Sequence, residues 1–113
     1  MSSGTQEKEF ARWSAAAFIE ILTHLPEPKD RIWITADTLY RTFIEFSGVK
    51  PEAFIKGELG LELARAIAHG RLPFVYAHQT FAAGRIYCGL DLHTLRHAMD
   101  TYEQQQRAIP AAM

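Results

Sequence analysis

Apolar positions along the chain follow two spacings, one of three to four residues and one of two, and their order lays out the elements. Over residues 7–24, Phe10, Trp13, Ala17 and Ile21 recur at helical spacing, with Phe18, Leu22 and Leu25 on an adjoining stripe. A helix apolar around most of its circumference must be buried on two sides. Pro26 and Pro28 end it, because proline donates no backbone hydrogen bond and biases its predecessor away from the helical region. Residues 31–34 are largely β-branched or aromatic and read as a short strand. Thr35 then caps a second helix reaching about Ser47. Asp37 in its first turn suits the helix dipole, Leu39, Tyr40, Phe43 and Phe46 give an inward face, and Gly48 supplies a left-handed stop.

A third helical stretch opens near Pro51 and closes at His69 and Gly70. Gly57 and Gly60 inside it each cost about 1 kcal/mol relative to alanine. This predicts a short helix or kink, then a cleaner helix from about Glu58 with Leu59, Leu63 and Ile67 inward. The spacing next becomes strand-like: residues 72–78 and 84–90 read as a hairpin with residues 79–83 at its tip. Asp91 caps a last helix, in which Leu92, Leu95, Met99, Tyr102, Gln106 and Ile109 keep a 3-4 rhythm. Residues 1–6 and 104–113 are mostly polar or small and need not be ordered.

The expected fold class is mainly α with a small β-hairpin, in the order helix, strand, helix, helix, strand, strand, helix. It forms one domain over residues 1–113 and amounts to a winged helix-turn-helix. Three short helices leave a core of this size open at one end, and the hairpin covers that end. Residues 33–90 resemble the winged-helix modules of phage and plasmid replication proteins of the primase and helicase type. The likeness is carried by Leu39-Tyr40 with Phe43, by Phe54 followed by Leu59-Gly60, and above all by Gly84-Arg85-Ile86-Tyr87-Cys88-Gly89. It implies a DNA-binding role in replication or transcriptional control. The chain departs from that pattern in the longer stretch between Phe54 and the hairpin, and in Glu52, Glu58 and Glu62, which make the recognition helix acidic.

Composition narrows the function further. The 113 residues are 48% hydrophobic and 22% charged, the size and balance of one ordinary folded domain. The longest uninterrupted apolar run, residues 15–19, falls far short of the roughly 20 residues that span a bilayer. Glu7, Lys8 and Glu9 stand where a signal peptide would be apolar. A lone Cys88 forms no internal disulfide, so a cytoplasmic location without membrane association is expected. Net charge is −1, which opposes strong non-specific binding of a polyanion. The charge is uneven, however. Residues 1–62 hold ten acids and seven bases, whereas residues 63–113 hold three acids, five bases and four of the five histidines.

Candidate nucleic-acid contacts therefore gather in the second half and its approach: Lys56, Arg65, His69, Arg71, His78, Gln79, Thr80 and Arg85. The alternative partner is a protein, with the same scaffold docking on a replication or host protein, which the acidic first half favours. The 3-4 seam of the last helix offers Leu92, Leu95, Met99 and Tyr102 to the first helix or, in a homodimer, to a second copy. Cys88, His93 and His97 make a partial metal set, short of the four ligands of structural zinc, so no metal or cofactor is expected. No phosphate loop, nucleophile elbow or His-Glu-x-x-His motif is present, and an enzyme is not expected. Trp13, Trp33 and the phenylalanines read as core.

Overall fold

The computed structural model describes the backbone of residues 3–112 and the side chains of residues 6–106. Helix α1 is Ser3–Thr23, strand β1 Trp33–Thr35, helix α2 Ala36–Ser47 and helix α3 Lys56–Ala68; strands β2 Tyr76–Thr80 and β3 Gly84–Cys88 follow, then helix α4 Leu92–Ala112. A single 3-10 turn, Pro51–Ala53, precedes α3; the break falls at Phe54 and Ile55, and Gly57 and Gly60, expected to interrupt the helix, lie inside α3. The fold is thus mainly α with a small antiparallel sheet of strand order β1-β3-β2. Helix α1 begins earlier than the sequence pattern indicated, and α4 continues through residues 104–106. The side chain of Ile109 lies outside the described residues. No helix among the described residues is long and apolar enough to cross a membrane.

Local chemistry sets the boundaries. Thr35 Oγ1 accepts from the Thr38 amide at 3.1 Å, filling one of the free donors at the start of α2. Gly48, at φ 72°, ends that helix with its amide donating to Ile44 O. Helix α3 closes in a Schellman motif: Gly70 adopts φ 73°, its amide donates to Ile67 O, and that of Arg71 donates to Ala66 O, each at 3.0 Å. Asp91 caps α4 through Oδ1, which accepts from the His93 amide, and Oδ2, which accepts from the Thr94 hydroxyl.

One core cluster joins every element except β2. Phe18 of α1 meets Phe43 of α2 edge-on with ring centroids 5.3 Å apart, and Phe43 meets Phe54 at 5.5 Å. Leu39, Leu59, Leu63, Leu90 and Leu95 close around them. Edge-on aromatic pairs add about 0.5–1.5 kcal/mol to what their buried area contributes.

Two expectations need correction. The aromatic residues are not uniformly core: Trp13 is 64% and Trp33 54% exposed, and Phe10, Phe74 and Phe81 are also exposed. On α1 the inward face is instead Ala11, Ser14, Ala15, Phe18, Ile19, Ile21 and Leu22. Ala11, Ser14 and Ala15 take the inward positions in the first half of the helix, which leaves Phe10 and Trp13 on its outer side. The seam of α4 is used within the domain. Leu95 is fully buried, Met99 is in the core, and Leu92 and Tyr102 pack against it, as expected if the seam is offered to the first helix. The hairpin loop is shorter than residues 79–83, because Gln79 pairs with Arg85 and Thr80 with Gly84.

Candidate functional site

Helix α3 and the β2–β3 hairpin stand beside each other with a groove of about 570 Å³ between them. The core residues Leu59, Leu63 and Ala66 anchor α3 on its inner side. Gly57, Leu61, Ala64 and Arg65 are left exposed. Gly60 brings α3 close to the hairpin: a Cβ there would lie 3.7 Å from Tyr87 Oη and 4.0 Å from an Arg85 guanidinium nitrogen.

The hairpin wall is held by its turn. Thr80 Oγ1 accepts from the Ala83 amide at 3.0 Å and donates to Gly84 O at 2.8 Å, while Gly84 adopts φ 70°. This is a three-residue connection, residues 81–83, closed by a left-handed glycine. Strand alternation sends Gln79 and Arg85, directly paired, to the side facing the groove. His78 and Thr80 lie on the opposite side of the sheet.

The eight residues singled out from the sequence separate into three places. Lys56, Gln79 and Arg85 line the groove. Arg65, His69 and Arg71 line a hollow of about 150 Å³ between α1 and α3, together with Arg12 and Glu62. His78 and Thr80 belong to the outer side of the hairpin. Two of the arginines already have carboxylate partners, Arg65 with Glu62 at 3.6 Å and Arg71 with Glu20 at 3.1 Å. Lys56 pairs with Asp37 in the first turn of α2, and this hydrogen bond and charge hold the Asp37 carboxyl below its usual value. No carboxylate among the described residues pairs with Arg85.

Asp37 and Tyr87 line the groove and were not among the sequence candidates. Tyr87 could have been placed by alternation from Arg85. Asp37, nineteen positions before Lys56, carries no local signal of its partner. Cys88, His93 and His97 do not converge, and no three His, Cys, Asp or Glu side chains among the described residues could share a metal ion. No family model, curated protein or solved structure matches the chain.

Proposed function

We propose that the chain is a winged-helix domain that binds duplex DNA along the groove between α3 and the hairpin, in a replication or transcriptional-control role of phage or plasmid type. Helices α2 and α3 form the helix-turn-helix, and β2–β3 is the wing, with β1 as its third strand. The observation that carries this reading is one of charge. From Leu72 to Leu90 the chain holds His78 and Arg85 and no Asp or Glu, so the hairpin can lie along phosphates without repulsion. Arg85 is the cation best placed for a phosphate. Lys56 can exchange Asp37 for one at little cost, since exposed ion pairs contribute only about 0–1 kcal/mol. Gln79 beside Arg85 offers amide donors and an acceptor to a base edge. Gly57, Gly60 and Ala64 leave α3 without bulk on the side that must approach the duplex.

A second reading, docking on a protein, is favoured by Leu61, which is exposed on α3 beside the groove, where an apolar side chain gains nothing from phosphate. The two separate in a salt titration of duplex binding by fluorescence anisotropy. On the DNA reading, Lys56→Ala with Arg85→Ala lowers the log-log salt slope by about 1.8, two contacts at roughly 0.9 each. Arg71→Ala, on the other side of α3, leaves the slope unchanged. Equal affinity and slope in the double variant would remove this groove as the DNA site.

A further inference from the structure

The sheet has a second side. Alternation turns Ile34 and Tyr87 into the core and sends Trp33, Tyr76 and Cys88 the other way. Trp33 of β1 and Tyr76 of β2 both register against Cys88 of the central strand. They therefore flank it at the same level, with Cα atoms about 10 Å apart, two strand spacings. Trp33 is 54% and Tyr76 61% exposed, while Ile86, two residues before Cys88 on the same side of β3 and registered against Thr35 and His78, is buried without belonging to the main core cluster. Phe74, also exposed, sits two residues before Tyr76.

The charge of this face narrows what it can bind. Its strand residues are Trp33, Thr35, Tyr76, His78, Thr80, Gly84, Ile86 and Cys88, with no carboxylate among them. Arg31, two residues before Trp33, is on the same side by alternation; the Tyr76 hydroxyl is hydrogen-bonded to Cys88, which raises its pKa, and Arg31 acts on it in the opposite sense. Flat aromatic surfaces, a cation and the absence of anions suit a ligand with apolar planar groups on an anionic chain. A duplex does not offer this, since its base faces are already stacked on each other. A single strand does, because each unpaired base has a free π-face.

We propose that the outer face of the sheet binds single-stranded nucleic acid, bases stacking on Trp33 and Tyr76 and the phosphate chain running past Arg31. The site is separate from the α3 groove and does not depend on duplex binding there.

The test uses Trp33 as its own reporter, with Trp13→Phe removing the other tryptophan. Titrating this protein with an oligothymidylate of about 12 nucleotides, a length of the order that single-strand-binding domains cover, quenches Trp33 emission to saturation, and the affinity falls with salt. Tyr76→Ala weakens binding by roughly 5- to 150-fold, the range spanned by loss of stacking on one aromatic ring, whereas Tyr76→Phe retains it. Lys56→Ala with Arg85→Ala leaves it unchanged. Absence of saturable quenching overturns the proposal, and so does equal affinity in the folded Tyr76→Ala variant. Duplex binding that persists in either case leaves the groove reading intact. Trp33 emission already shielded from acrylamide without oligonucleotide also overturns it, because that face is then covered by another copy of the protein.

Discussion

The carbonyl oxygen of Phe74 lies 1.9 Å from the position a Cβ on Gly89 would take, and Gly89 itself adopts φ 89°. The glycine amide donates to Ile32 O at 2.9 Å, so this close approach ties the end of the hairpin to the chain entering β1. Gly48 also has positive φ, but with nothing within 4 Å. The pair isolates the steric part of the cost. Gly48→Ala should cost about 1–2 kcal/mol, the left-handed penalty alone. Gly89→Ala carries that penalty and must also displace backbone, so it should exceed 2 kcal/mol. Thermal unfolding checks this, with a drop of at least about 8 °C expected for Gly89→Ala and a smaller one for Gly48→Ala.

The Lys56–Asp37 pair ties the first turns of α2 and α3 and gives a handle on both pH and binding. Asp37 has its folded-state value lowered by Lys56. Its contribution to stability is therefore fully present above the unfolded value near 3.8 and is lost as pH falls through the lower folded value. Following the Asp37 carboxyl by NMR, Lys56→Ala should move its midpoint upward. Duplex DNA should do the same if Lys56 leaves Asp37 for a phosphate. A midpoint indifferent to saturating duplex would mean that Lys56 keeps its carboxylate in the complex.

Buried and exposed apolar residues on the two terminal helices should respond oppositely. Leu95 is fully enclosed, and Leu95→Ala should cost about 2–5 kcal/mol through lost transfer energy and the cavity left behind. Trp13, though larger and stacked on Phe10 at 6.4 Å, projects from the surface, and Trp13→Ala should change stability by less than about 1 kcal/mol. Urea denaturation of the two variants decides whether the α4 seam is internal. A monomer unaffected by Leu95→Ala would return that seam to the surface.

Element order, both glycine stops and the caps at Thr35 and Asp91 were legible in the sequence because they depend on residues within five positions of one another. The exposed aromatics were not. Trp33 and Ile34 look equally apolar, and only pairing with β3 shows that Ile34 faces the helices and Trp33 does not. The same limit divided the basic candidates. Arg65 and Arg85 are twenty positions apart and similar in type, yet α3 turns Arg65 toward α1 while the hairpin turns Arg85 into the groove. Long-range geometry, rather than local propensity, makes that choice.

Tyr40 gives a test at alkaline pH. Its hydroxyl donates to Phe54 O at 2.7 Å, bridging α2 to the segment leading into α3. Burial raises its pKa above the ordinary 10.0, and the nearby Glu58 and Glu52 carboxylates add to the effect. The folded state thus prefers the neutral phenol, which alone can donate to the carbonyl. The stabilisation is fully present below the unfolded value of about 10 and is lost as pH rises through the folded one. Tyr40→Phe should cost about 0.5–1.5 kcal/mol at neutral pH through the lost hydrogen bond. Above the folded pKa that difference should shrink, because the native tyrosine must then either bury a phenolate or release the carbonyl. Denaturant midpoints of both proteins between pH 7 and 11.5 would show the two curves converging. A constant gap across that range would mean that Tyr40 titrates alike in the folded and unfolded chains, and that its bond to Phe54 contributes no preference for the protonated form.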